Sequence, residues 1–294
     1  MSIVKVMKFG GTSVGSPERM KALIPLITDN ESKIVVLSAM SGTTNSLIEI
    51  TDLLSGGKIK EASEKIEELK TRYHKVVDEL YEDKIYEKTG HELIDSHFGY
   101  ITGFVTKQFT RTQGKAIVGE GELISTALVH NLLLEKGFKS ILLPALNFMR
   151  IDKDGEPDYY YIEENLKREL TKYDSDNILI TQGFICRNAS GEIDNLKRGG
   201  SDFTASIIGA VLKASEIQIW TDINGFHNND PRFVENTEVI RELSFDEAAE
   251  LAYFGAKILH PATINPAKTN NIPVRLKNTL EPEDEGTLIT AKSD

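Results

Sequence analysis

The chain opens with two turns of one pattern: a short apolar stretch, a glycine- or hydroxyl-rich loop, an amphipathic run, then the next apolar stretch. Residues 3–8 (IVKVMK) read as a strand that ends at Gly10-Gly11. Ser16-Pro17-Glu18 reads as a helix start, with a hydroxyl cap, a proline in the first turn and an acid near the positive end of the helix. The helix runs through RMKALIPLI, where Pro25 is expected to kink or end it. KIVVLSAM (33–40) has the continuous apolar character of a buried strand, and SGTTN leads into the helical run SLIEITDLL. This β-α-β-α order commits the chain to an α/β fold with its ligand loops at the carboxyl ends of the strands.

Further along, 58–88 is highly charged, with Ile59, Ile66, Leu69, Tyr73, Val76, Val77 and Leu80 at helical spacing. It predicts one long surface helix with a solvated charged face. LISTALVHNLLLEKG follows GEGE as a second helix capped by Gly137. KSILLPA (139–145) and NILITQGFI (177–185) read as buried strands, with DKDGEP between them as a turn. GGSDFTASIIGAVLKA is a loop opening a helix, and EIQIWTD is a strand. A helix near 244–254 and strands at 272–278 and 286–290 complete the reading. No repeat, low-complexity tract or linker divides the 294 residues, so one continuous domain with a helical excursion is expected.

The charge balance limits the partners. Net charge is −11, with an isoelectric point near 5.2, which repels nucleic acid and anionic membrane. An acidic chain that handles anions has to concentrate its useful cations locally. No apolar run approaches the roughly 20 residues that span a bilayer, and Lys5 and Lys8 interrupt the N-terminal apolar stretch where a signal peptide would need continuity. The single cysteine, Cys186, excludes an internal disulfide and fits a reducing cytoplasm.

Five stretches could carry chemistry. KFGGTSVG (8–15) fails both the Walker and the dinucleotide glycine patterns. Gly10-Gly11 would still let backbone N–H groups approach an oxyanion beside the Lys8 ammonium; a plain glycine turn with a solvent-facing lysine is the alternative. LKRGGSDFTAS (196–206) carries a second glycine pair, with Arg198 as a planar fork and Ser201-Asp202 opening a helix. Asp202 also reads simply as an acid favoured by the helix dipole. WTDINGFHNNDPR (220–232) is a strand end followed by a turn-rich loop. FGAKILHP (254–261) places small residues before Lys257, and His260 reads as a structural hydrogen-bonding histidine before proline. In GEGE (119–122), Glu122 opens an apolar helix either as a capping acid or as a site carboxylate. There is no HExxH, GxSxG or CxxC, and His91 and His97 lie in a polar helical region without ligand spacing, so no metal site built from protein side chains is expected.

Taken in order, KFGGTSVG, VVLSAMSGTTN, GEL, ITQGFI, RGGSDFTA, IWTDINGF, DPR and ELAYFGAKILHPATI resemble the aspartate kinases of the amino acid kinase superfamily, over residues 3–290. The resemblance implies a three-layer α/β/α sandwich around an open, mainly parallel sheet. An aspartate-binding half would span about 1–205, with the helical excursion at about 58–115, and an ATP-binding half about 206–294. The reaction implied is ATP-dependent phosphorylation of the side-chain carboxylate of L-aspartate, with Mg²⁺ held through the ATP phosphates. This is the committed step toward lysine, threonine, methionine and isoleucine. Lys8, Asp202 and Lys257 would be catalytic. Ser38, Thr44, Glu122, Arg198, Gly199, Gly200 and Ser201 would line the aspartate pocket. Lys8, Gly10, Gly11, Thr221, Asp222, His227, Arg232, Lys257 and Ile258 would meet ATP. His227 departs from the family, which often has tyrosine in that segment, and no ACT regulatory domain is expected in this chain. A homodimer is compatible with the resemblance. The alternatives are a kinase for another amino acid, such as glutamate or acetylglutamate, and a non-catalytic regulatory paralogue.

Overall fold

The structure, a computed structural model, describes residues 4–292 apart from 30, 107, 175–176, 197–198, 230–233, 235 and 254–258. Strand β1 (Lys5–Phe9) is followed by α1 (Pro17–Ile27), β2 (Lys33–Leu37) and α2 (Thr43–Ser55). Three long helices come next: α3 (Ile59–Leu80), α4 (Lys84–Gly103) and α5 (Arg111–Glu135). Then follow β3 (Ser140–Leu143), α6 (Tyr159–Leu170), β4 (Ile178–Gln182), and the short pair β5 (Ile185–Arg187) and β6 (Ile193–Asn195). The remaining elements are α7 (Gly200–Leu212), β7 (Glu216–Thr221), β8 (Glu242–Ser244), α8 (Phe245–Tyr253), α9 (Pro261–Thr269), β9 (Val274–Asn278) and β10 (Thr287–Thr290).

Eight strands form one sheet in the order β3-β4-β2-β1-β7-β9-β10-β8. Every neighbouring pair is parallel except β9 with β10. The expected α/β/α layering follows from residue alternation. Met7, Phe9, Val35 and Leu37 join a core closed by α1 to α5. Val6, Ile34, Val36, Ile217 and Ile219 join the other core, under α6 to α9. All five residues of β2 are buried, as a strand covered on both faces requires. The same period of two turns Lys8 toward the α7 face, between Val36 and Ile219 in register.

From β1 the chain first fills one side of the sheet (β2, β3, β4), then returns to place β7 on the other. The order therefore reverses beside β1, the position at which open α/β sheets form a ligand crevice. The loops leaving this edge are stitched together. Gly10 N–H donates to Trp220 O (3.2 Å), Ser38 N–H to Phe9 O (3.2 Å), Gly183 N–H to Leu37 O (2.9 Å) and Thr279 N–H to Thr221 O (2.8 Å).

Several local expectations change. The single helix expected over 58–88 is two helices, α3 and α4, that fold back on each other. Tyr81 turns extended, and its hydroxyl donates to Leu128 O at 2.9 Å. Asp83 caps α4 by accepting from Ile85 N–H, while the Glu135 carboxylate accepts from the N–H groups of Glu82 and Asp83. Pro25 does not end α1 at once, because it lies in the last turn, two residues before the helix stops. Helix α5 begins twelve residues before the predicted Leu123, at a Thr110–Gln113 capping box. Glu122 is therefore in mid-helix rather than at a helix start. By length and composition α5 could cross a bilayer, but 78% of its apolar window is buried inside the fold. Helices α6 and α9 and the β5–β6 pair have no counterpart in the sequence reading.

The glycines inside α5 are placed by packing. A Cβ on Gly121 would lie 2.8 Å from Ala39 Cβ and 3.1 Å from Thr43 Cγ2. Glycine to alanine in a helix interior ordinarily gains about 0.5–1 kcal/mol. Here Gly121→Ala is expected to lose about 1–3 kcal/mol through overpacking, read as a lowered midpoint in urea unfolding.

Candidate active site at the carboxyl edge of the sheet

Lys8 is the next-to-last residue of β1, and Asp202 sits in the first turn of α7. Lys8 Nζ lies 2.7 Å from Asp202 Oδ1, with the side chains only 11% and 15% exposed. The positive end of α7 favours the carboxylate, and the carboxylate in turn fixes the ammonium at the mouth of the crevice. A Cβ on Gly10 would come 3.4 Å from Lys8 Nζ, so the glycine leaves the face of the ammonium open. Gly11 answers to a different demand. A Cβ there would stand 2.9 Å from Ala39 O, and Gly11 O accepts from Ser41 N–H at 3.1 Å. It lets the loop after β1 lie directly on the loop after β2.

The second glycine pair is equally specific. Gly199 takes φ +70°, and a Cβ there would be 2.5 Å from Thr263 Cγ2. A Cβ on Gly200 would collide with the Phe184 ring, and one on Gly183 with Ser201. Phe184 itself adopts φ +66°, rare for an aromatic residue. Its N–H donates to Thr204 Oγ1 (3.0 Å) and its carbonyl accepts from Leu196 N–H (2.7 Å). Thr204 Oγ1 donates in turn to Gly200 O (2.8 Å), so one buried hydroxyl ties the 183–184 turn to the first turn of α7.

Glu122 reaches the same edge from beneath. Its Oε1 accepts from Ala39 N–H at 3.2 Å, and Oε2 has no hydrogen-bond partner among the described residues. Burial pushes its pKa up to about 8, with only partial relief from backbone donors. Ser38 O accepts from Ser125 Oγ (2.7 Å), which pins the loop after β2 to α5 one turn from Glu122. Thr44 is half-buried at the start of α2, next to Thr43, whose hydroxyl lies 2.8 Å from Tyr73 Oη. Arg72 of α3 donates to Ser41 O at 2.8 Å and completes the bracing of this loop.

On the other side of β1, Thr221 ends β7, and its carbonyl accepts from Thr279 N–H and Oγ1. Thr221 Oγ1 donates to the exposed Asp222 carboxylate at 3.2 Å. His227 is turned into its own loop, with Nδ1 2.9 Å from Thr237 Oγ1, and no contact links it to the Lys8 group among the described residues. His260 is structural as expected, capping α9 by accepting from Ala262 N–H. Arg198, Arg232, Lys257 and Ile258 lie outside the described residues. Lys277 was not anticipated. Its Nζ sits 5.1 Å over the Trp220 ring, and burial lowers its pKa.

The structure thus brings Lys8, Gly10, Gly11, Ser38, Glu122 and Gly199–Asp202 to the carboxyl edge of the sheet, with Thr221 and Asp222 across β1. Sequence reasoning missed Phe184, Thr204 and Arg72, because their roles consist of contacts with residues distant in sequence. Among the described residues, no three carboxylate, histidine or cysteine ligand atoms converge at this edge. Its donors and fixed cation suit anions, and a divalent ion would fit here if carried in by phosphate oxygens.

Comparison with known proteins finds relatives along nearly the whole chain. The sequence model described as the amino acid kinase family matches residues 4–278. Lysine-sensitive aspartokinase 3 of Escherichia coli (strain K12) is 34% identical over 301 residues, covering 100% of this chain and 66% of that protein. Aspartokinase 1, chloroplastic, of Arabidopsis thaliana is 36% identical over 303 residues, covering 99% of this chain and 53% of that protein. The crystal structure of E. coli aspartokinase III in complex with aspartate and ADP superposes with a TM-score of 0.87 at 33% identity, over 99% of this chain and 65% of that one. This chain therefore spans two thirds or less of the length of these relatives. A Thermoplasma acidophilum isopentenyl phosphate kinase (TM-score 0.54, 14% identity) shares the fold.

A raised acid pKa has a defined sign in stability. Between the unfolded value near 4.5 and the folded value of about 8, the native state holds a proton that the unfolded chain has released. Stability is therefore lost as pH rises through that window. Glu122→Gln is expected to raise the stability of the ligand-free protein at pH 8 by about 1–3 kcal/mol. At pH 5, where the wild-type carboxyl is already neutral, the gain is expected to be much smaller; thermal melts at the two pH values measure the difference.

Proposed function

Since the chain belongs to the amino acid kinase family, we propose that it transfers the terminal phosphoryl group of ATP to the side-chain carboxylate of L-aspartate, yielding ADP and 4-phospho-L-aspartate. The observation that carries this reading is the likeness, over 99% of this chain and 65% of that one, to an aspartokinase solved with aspartate and ADP. The crevice supplies parts that suit such a reaction. The attacking carboxylate, with a reference pKa near 3.9, is ionised at neutral pH and needs no general base. The burden falls on bringing an anion to a polyanion in line.

Lys8 is the central group. Its ammonium, held against Asp202 at 2.7 Å, is poised to turn toward the phosphoryl oxygens beside the open face of Gly10. Preorganised charge of this kind is worth several kcal/mol in the transition state. Glu122, with one oxygen free, accepts the α-ammonium of the amino acid, and the arriving cation offsets the cost of ionising a carboxyl whose pKa stands at about 8. Arg198 takes the α-carboxylate, with Ser38, Thr44 and Gly199–Ser201 around it. Thr221, Asp222, His227, Arg232, Lys257 and Ile258 meet the nucleotide, Lys257 as a second catalytic cation. Mg²⁺ bound to the phosphates would neutralise their charge, and among the described residues no group of three ligand atoms lies at this edge of the sheet. On this reading, residues up to about 205 serve the amino acid and 206–294 the nucleotide, in a reducing compartment such as the cytoplasm.

With ATP, MgCl₂ and aspartate, hydroxylamine should trap the acyl phosphate as aspartyl hydroxamate. Glutamate or acetylglutamate in place of aspartate should give far less. Lys8→Met and Asp202→Ala should each lower turnover by about 100-fold or more in protein that still folds, with a lowered melting temperature because one partly buried charge is left unpaired. A folded protein that binds ATP without forming hydroxamate would instead mark a regulatory paralogue.

A further inference from the structure

The α3–α4 hairpin carries a second concentration of chemistry, outside the crevice. We propose that it binds one divalent cation of zinc-like softness through His91 Nε2 and the carboxylates of Asp78 and Glu87, with His74 as the residue that orients His91. Asp78 lies four residues after His74 on α3, while Glu87, His91 and Asp95 follow at intervals of four on α4. Such spacing puts each set on one helix face, and the tight 81–83 turn brings the two faces together. One ligand atom each from Asp78, Glu87 and His91 lies within 4.8 Å of the other two, and these are the only such group of three among the described residues. His91 Nε2 is already 3.0 Å from Asp78 Oδ1. Ligand atoms about 2.0–2.2 Å from a tetrahedral zinc stand roughly 3.3 Å apart, so Glu87 needs only a rotamer adjustment. Its present partner, Lys84, is a largely exposed surface lysine.

Hydrogen-bond accounting along the cluster supports a cation at this point. His74 Nδ1 and His91 Nδ1 are 2.7 Å apart, so one nitrogen donates to the other. His74 Nε2 is 3.2 Å from Asp95 Oδ1, which is also 2.8 Å from Lys70 Nζ. If His74 donates from Nε2 to Asp95, its Nδ1 is free to accept from His91 Nδ1–H. In a neutral His91 that tautomer leaves a lone pair on Nε2, aimed at the Asp78 carboxylate. Two acceptors at 3.0 Å repel unless a proton or a metal ion lies between them. The relay from Asp95 through His74 to His91 extends, by one interposed imidazole, the arrangement in which a carboxylate fixes a metal-bound imidazole through its other nitrogen. A mixed imidazole and carboxylate set favours zinc-like ions over Mg²⁺, which prefers oxygen alone. Asp78 stands across the hairpin from His91, on α3, where spacing along α4 alone does not show it. His97 does not take part, since its Nδ1 is 2.5 Å from Glu120 Oε2.

The test is calorimetric titration of the EDTA-stripped, dialysed full chain with ZnCl₂, paired with thermal melts. One site per chain in the micromolar range or tighter is expected, with a raised melting temperature and no comparable response to MgCl₂. His91→Gln and the milder surface change Glu87→Gln should each weaken binding at least tenfold. His74→Gln, which removes no ligand, should weaken it about 10- to 100-fold. Each variant should melt like the wild type in EDTA. Absence of binding by the wild type at 100 µM ZnCl₂, or unchanged affinity in both His91→Gln and Glu87→Gln, would overturn the site. Unchanged affinity in His74→Gln would overturn its orienting role.

Discussion

The contact between Lys8 and Asp202 ties the two halves of the crevice together. Lys8 belongs to the central strand, Asp202 to the first turn of a helix reached almost two hundred residues later, and their separation is 2.7 Å. The pair forms because β1 lies between β2 and β7, and because strand alternation turns Lys8 toward the layer that holds α7. Partly buried charges are costly when unpaired, so the register of β1 and the docking of α7 are fixed in part by the same contact. In a chain with net charge −11, this is also how a cation is kept available for an anionic ligand.

Around that pair, the loops are positioned by absence of side chains and by single hydrogen bonds. Gly11, Gly183 and Gly200 permit backbone approaches that a Cβ would forbid. The Thr204 hydroxyl links Phe184 to Gly200, and Arg72 and Tyr73 hold the loop after β2 from the helical excursion. The excursion is thus joined mechanically to the crevice. Glu122 adds a different element, a carboxyl kept largely protonated near neutral pH by burial. Binding a cationic group beside it would draw out the charge, which couples recognition of an ammonium to ionisation of the protein.

Much of this could be read from sequence, for physical reasons that differ by element. The strands β1, β2, β4 and β7 are short, apolar and bounded by glycine or hydroxyl residues, so local pattern suffices. The two glycine-pair loops stood out because glycine beside cations is rare without cause. The break at 81–83 did not stand out, because α3 and α4 carry the same helical period on either side, and Tyr81 and Glu135 impose the turn through contacts about fifty residues apart. The start of α5 was hidden by Gly114, Gly119 and Gly121, which suggest a loop until the packing against Ala39 and Ile185 is seen. His74 and His91 meet only once the hairpin closes, 17 residues apart in sequence.

The most direct test is a crystal structure of the chain with aspartate and a non-hydrolysable ATP analogue. The account predicts the α-ammonium within hydrogen-bond distance of Glu122 Oε2, and Lys8 Nζ turned from Asp202 to a terminal phosphoryl oxygen, with the substrate carboxylate in line. An aspartate seated away from Glu122, or a nucleotide whose phosphates do not approach Lys8, would contradict it.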